Sequence, residues 1–183
     1  MFLPRLKMSL YSCLYNLDSF TYKKQMFMKV FFTSLFLFCS ASSFAQNQLT
    51  VFYFGASDCG PCSRPEVIQS INKINAEIDS VYKNSNVKLV MVTIDSNRKE
   101  AIKYITKYDS WDEFSMGSRY KNELAMSHLN EAEIPGLPHI IISEDEFAES
   151  GYGTTTLKQR RHVKSIMGGV EIVEWVNSGM KLD

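Results

Sequence analysis

Cysteine is scarce in this sequence. Four occur in 183 residues, and two of them, Cys13 and Cys39, fall in an N-terminal stretch with the marks of a removable leader. The remaining pair, Cys59 and Cys62, cannot alone fill a structural zinc site, which takes four ligands. Histidine adds only His128, His139 and His162. Net charge is absent as well: 20 Lys and Arg balance 20 Asp and Glu. That balance lacks the basic footprint of a nucleic-acid binder, so no nucleic-acid partner is expected. No apolar run reaches the ~20 residues that a membrane-spanning helix requires. There is no internal repeat and no low-complexity segment.

The zero net charge hides an asymmetry. Residues 1–45 carry Arg5, Lys7, Lys23, Lys24 and Lys29 against Asp18 alone, so the rest of the chain is mildly acidic. Within that basic stretch, "MKVFFTSLFLFCSASSFAQ" has a lysine at its start and an apolar centre from Val30 to Cys39. It ends in the small-x-small site Ser43-Phe44-Ala45. This is the pattern of a secretory signal peptide over 28–45, cut after Ala45. The expectation is an exported, periplasmic protein whose mature part, 46–183, is one domain. Residues 1–25 precede the charged start, so a second initiation at Met26 or Met28 is expected to leave them untranslated, or they leave with the signal. The 138 residues that remain suffice for one buried core.

Along that part the apolar pattern alternates between strand and helix. Leu49–Phe54 reads as a buried strand, and Gly55–Gly60 as a turn. From Pro61 to about Tyr82, Val67, Ile68, Ile71, Ile74, Ile78 and Val81 recur at intervals of three and four, which predicts an amphipathic helix. Val87–Ile94 predicts a second strand, Arg98–Tyr108 a helix, Trp111–Met116 a short strand and Arg119–Leu129 a helix. His139–Ser143 predicts a strand. "EDEFAESGYGTTTLKQ" reads as a polar turn region, followed by a strand near His162–Met167 antiparallel to its predecessor. Val170–Asn177 closes the chain as a helix before Gly179. The order predicts an α/β sandwich around a central sheet.

The stretch "GASDCGPCSRP" follows the first strand. A bridge between cysteines three residues apart closes a tiny loop and constrains the unfolded chain little, so it is a poor staple. Outside a reducing cytosol a disulfide persists, which favours a chemical role. Cys59 is expected at the start of the long helix, where unpaired N–H groups and the helix dipole favour the thiolate. Pro61 suits a first helical turn, and Gly60 leaves room beside Cys59 for an incoming disulfide. Cys62 lies within ring-closing reach. Cys59 would attack a partner disulfide, and Cys62 would then attack Cys59 and release the reduced partner. Zinc, an inert bridge, and a Cu(I) site made of Cys59, Cys62 and His139 are the competing readings.

"VFYFGASDCGPC" resembles the active-site segment of the thioredoxin superfamily, whose redox motif is Cys-Gly-Pro-Cys. "EIPGLPHIIIS" is similar to that family's segment in which a cis-proline opens a strand facing the cysteines. The match falls on Pro138, with Leu137 before it, and Pro135 is the alternative, a trans turn proline. The tail "SIMGGVEIVEWVNSG" resembles the family's last strand, glycine and terminal helix. Asp95 stands 43 residues before Pro138, and the intervening segment resembles the TlpA/ResA-like group of exported thiol–disulfide oxidoreductases, with an inserted strand and helix. The resemblance implies a thioredoxin-like three-layer sandwich with a mixed sheet, substrate positioning by Leu137 and Pro138, and no cofactor beyond the Cys59–Cys62 disulfide. It also implies protein thiol and disulfide substrates, a reducing bias, and a membrane-bound electron donor.

Two departures stand out. Asp58 occupies the place of the family's tryptophan before the first cysteine. An adjacent carboxylate opposes a thiolate unless solvent screens it. Tyr53 stands where the family carries a buried acid, so that role is vacant or filled elsewhere. Trp111, Phe114 and Trp175 read as core. Arg64 reads as a solvated residue, and "KQRRH", Lys158–His162, as an edge strand guarded by charge.

Overall fold

The computed structural model describes residues 46–109, 111–130, 132–149 and 154–182. The proposed signal peptide and the residues before it lie outside this range. Strand β1 (Gln46–Gly55) is the centre of a five-stranded mixed sheet with strand order β3-β2-β1-β4-β5. Strands β2 (Asn86–Thr93) and β3 (Glu113–Met116) run parallel to β1 in sequence along one side. On the other side β4 (His139–Glu149) is antiparallel to β1, and β5 (Thr155–Met167) is antiparallel to β4.

The period-two alternation of β1 sorts its side chains onto two faces. Leu49, Val51 and Tyr53 join the larger core, with α1 (Pro65–Val81), α2 (Arg98–Ile105) and α3 (Gly169–Asn177) packed over them. Phe52 and Phe54 point into a smaller core covered by one π-helical turn, Ala125–Leu129. Helix α1 buries Val67, Ile71, Ile74 and Ile78 at the spacing read from the sequence. Each fully buried aliphatic side chain contributes roughly 1.5–3 kcal/mol. Trp111 and Trp175 are buried as expected, whereas Phe114 is 41% exposed on the short edge strand β3. Among the described residues no helix is long and apolar enough to cross a membrane.

Several boundaries differ from the sequence reading. The helix expected from Pro61 is broken: a 3₁₀ turn spans Pro61–Ser63, Arg64 is extended (φ −69°, ψ 136°), and α1 begins at Pro65. Pro65 has no N–H to continue the ladder and pushes its predecessor out of the helical region. Helix α2 stops at Ile105 rather than Tyr108. The helix expected over Arg119–Leu129 is reduced to its last part, because the Asn122 side chain accepts the N–H groups of Leu124 and Ala125 and starts the turn there. The polar region after Ser143 is mostly sheet, since β4 runs on to Glu149 and β5 starts at Thr155.

A charged pair explains that extension. Asp145, 1% exposed on β4, accepts Nε and Nη2 of Arg160 from β5 at 2.6 and 2.7 Å, and Thr50 Oγ1 from β1 at 2.8 Å. Burial alone would push the Asp145 carboxyl up, but these donors more than reverse it and hold the pKa below the ordinary value. Arg160 Nη1 also donates to His128 Nε2 at 2.9 Å. Burial and the Arg160 charge bring His128 down to about 4. The unfolded chain therefore takes up a proton near pH 6.5 that the folded chain refuses until about pH 4. His128 contributes stability above its unfolded pKa, and that contribution is lost as pH falls through this window; the Asp145 contribution is lost only further down. Denaturant titrations should show a decline on the order of 1–2 kcal/mol from neutral pH to pH ~4. His128→Gln should flatten it, and an unchanged slope in that variant would contradict the assignment.

Candidate redox site

The carboxyl ends of β1, β2 and β3, the start of β4 and the end of β5 meet at one end of the sheet, since Phe54 pairs with His139 and His139 with Met167. The loop after β1 places the cysteines there. Cys59 and Cys62 form a disulfide, S–S 1.96 Å. Cys59 is half-buried, and Cys62 is fully buried. Cys59 is thus the sulfur of the pair that solvent reaches, and Cys62 is closed off from it. Cys59 sits ahead of the 3₁₀ turn rather than on the first turn of α1. Its electrostatic support is local: the Cys62 N–H donates to Cys59 Sγ at 3.2 Å. Asp58 and Arg64 are exposed, so solvent screens both charges. Gly60 is exposed, and a Cβ there would meet nothing within 4 Å, so the approach to Cys59 from solvent is open.

The loop before Cys59 is anchored by a residue the sequence reading used only as a landmark. Ser57 donates its N–H and its Oγ–H to the Asp95 carboxylate, at 3.1 and 2.6 Å. Thr93 Oγ1 donates to the same carboxylate. A polar residue ending an apolar strand was the available signal.

Opposite, the Leu137–Pro138 peptide bond is cis, and Pro135 is trans. The Pro138 carbonyl accepts the N–H of Gly168 at 2.9 Å, while a Cβ on neighbouring Gly169 would lie 3.7 Å from the Pro61 carbonyl oxygen. The cis-proline loop is thus hydrogen-bonded to the Gly168-Gly169 step, which in turn lies close to the Cys-Gly-Pro-Cys turn. Gly168 has φ +112°, a backbone only glycine adopts without strain. Leu137 packs against both cores.

A family model described as thioredoxin-like matches residues 47–146. The chain belongs to the thioredoxin-like family. No curated protein matches it. Among solved structures, tryparedoxin I from Leishmania major is 15% identical over 59% of this chain and 65% of its own, with a TM-score of 0.37. Tryparedoxin I from Crithidia fasciculata is 22% identical over 52% and 60%, with a TM-score of 0.35. The thioredoxin domain of a Bacteroides vulgatus thiol–disulfide oxidoreductase is 18% identical over 75% and 81%, with a TM-score of 0.39. These likenesses are distant, and the family assignment rests on the family match.

For a thioredoxin-like protein this site supports thiol–disulfide exchange. His139 is buried with Nε2 bonded to Ser165 Oγ, and no group of three His, Cys, Asp or Glu among the described residues could hold a metal. The position of the family's buried acid holds Tyr53 in a cluster of hydroxyls. Tyr53 lies 2.9 Å from Tyr104 and 3.3 Å from Tyr108, Tyr104 and Tyr108 are 2.9 Å apart, and Tyr108 Oη–H donates to the Cys62 carbonyl at 3.3 Å. Burial raises the pKa of all three, so each stays protonated near neutral pH. Tyr104 and Tyr108 were not singled out from sequence; their spacing of four on an amphipathic helix marks core and nothing more.

Proposed function

We propose that this protein is a disulfide reductase that works outside the cytoplasm on protein substrates. The observation that carries the oxidoreductase reading is the disulfide between a partly accessible Cys59 and a sealed Cys62, at the end of the sheet where β4 begins after the cis Leu137–Pro138 bond. The leader pattern over 28–45 supports export, and the Gly60-Pro61 spacer supports the reducing direction by resemblance. In the reaction the Cys59 thiolate attacks a client disulfide, and one client thiolate leaves. Cys62 then loses its proton and attacks Cys59, and the second client thiolate leaves. The client gains two electrons, and the protein is left oxidised. Outside the cytosol it must be recharged, which calls for a membrane-bound dithiol donor.

Equilibration with glutathione or dithiothreitol measures the potential of the Cys59/Cys62 couple. A value near roughly −270 mV, with catalysed reduction of insulin disulfides, is the expected result; a value near about −120 mV would make the protein an oxidant. Release of a chain beginning after Ala45 into the periplasm of an expressing host tests the location.

A further inference from the structure

The break in the helix at Arg64 and Pro65 leaves the Cys62 carbonyl outside a regular ladder. Pro65 has no N–H, and the Val67 and Ile68 amides both donate to the Arg64 carbonyl. The Cys62 carbonyl accepts from Tyr108 Oη, which arrives from the turn that follows α2, 46 residues away in sequence. A carbonyl only accepts, so the Tyr108 hydroxyl is the donor of this contact, and its single proton is shared between that carbonyl at 3.3 Å and Tyr104 Oη at 2.9 Å. Tyr53 Oη lies 2.9 Å from Tyr104 Oη and 3.3 Å from Tyr108 Oη, so the two deeper tyrosines flank the Tyr108 hydroxyl.

The geometry points to Tyr108 as the positioning residue of the resolving cysteine: through the Cys62 carbonyl it fixes the turn that aims the buried sulfur at Cys59, with Tyr53 and Tyr104 as its support. This rests on the oxidoreductase reading and adds to it a specific residue for one step. Attack by Cys59 on an incoming disulfide does not need the bond; the return attack by Cys62 does. The hydroxyls are protonated throughout, so they orient the sulfur and do not take its proton. The Cys62 proton leaves to solvent as the mixed disulfide opens the turn.

The test uses the reduced full chain in a Cys13→Ser, Cys39→Ser background with 5,5′-dithiobis(2-nitrobenzoate). Cys59 sulfur attacks the reagent's S–S bond, a Cys59–aryl disulfide forms, and one aryl thiolate leaves. Cys62 sulfur then attacks Cys59, the Cys59–Cys62 bond forms, and the second aryl thiolate leaves. Two electrons pass from the dithiol to the reagent, and the two releases are read separately by absorbance in stopped flow. Tyr108→Phe should slow the second release roughly threefold to tenfold, the range for losing one hydrogen bond to a buried carbonyl. The first release should stay within about twofold, and the pH midpoint of the second should not move. Tyr53→Phe, which keeps the Tyr108 bond but loosens its support, should slow the second release by less; should Tyr108→Phe fail to fold, this variant carries the same comparison. A second release at the parental rate, or both releases slowed alike, would overturn the assignment. If the parent itself released only one equivalent, the paired-cysteine reading would fall, independently of Tyr108.

Discussion

Cys62→Ser should convert the protein from a catalyst into a trap. Cys59 keeps its exposure and the local N–H of residue 62, so it still attacks, but nothing inside the protein can release the client. Resolution then depends on outside thiol, and the advantage of a thiol already held beside the bond is lost. A well-oriented intramolecular group is worth many orders of magnitude over a dilute one. Insulin reduction should therefore fall at least roughly a hundredfold. Disulfide-linked adducts should appear on non-reducing electrophoresis and vanish with dithiothreitol. Cys59→Ser should abolish both turnover and adducts, because Cys62 has no exposed surface. Adducts that persist in Cys59→Ser, or none in Cys62→Ser, would reverse the assignment of the two roles or end it.

Gly55→Ala should be the most damaging single methyl in the described core. An ideal Cβ at Gly55 would lie 2.1 Å from Tyr104 Oη and 2.8 Å from its Cζ. The tyrosine cannot retreat freely, since its ring is buried in the core and its hydroxyl is bonded to Tyr53 and Tyr108. Overpacking of this kind costs about 1–3 kcal/mol, and displacing the hydroxyl adds about 1 kcal/mol for each buried bond it loses. The expected loss is about 3 kcal/mol, which lowers the melting temperature by roughly 10 °C for a domain of this size. Tyr104→Phe in the same chain removes the nearest clashing atom and should recover part of that loss. A strictly additive double variant, with no recovery, would show that the strain lies elsewhere.

The two predictions separate what local pattern and what tertiary packing contribute. The cysteine pair was legible because a strand, a turn and two thiols three residues apart are all local. Helix α1 was legible because one buried face repeats at its own period, and Trp175 because it lies on such a face. The second half of the inserted segment was misread: apolar residues in Arg119–Leu129 suggested a helix, yet Asn122 caps the backbone from inside and confines it to the last turn. The polar residues after Ser143 by themselves suggest a turn region. Its strands exist because Asp145 finds Arg160 across the sheet, and no window along the chain contains that pairing. Phe114 was assigned to the core by its chemistry, but an edge strand of four residues leaves it exposed.

By itself, then, the sequence determined the class of chemistry, the number of sheet and helix layers, and which two cysteines pair, since these follow from residue type and short-range spacing. Only the tertiary structure decided which sulfur is sealed, what holds the loop before it, and that three tyrosines, 51 and 55 positions apart from first to second and third, gather beneath it. The physical reason is that burial and hydrogen-bond partnership are properties of space. A hydroxyl and a carbonyl distant along the chain become a pair only after the sheet has paired and the helices have closed over it.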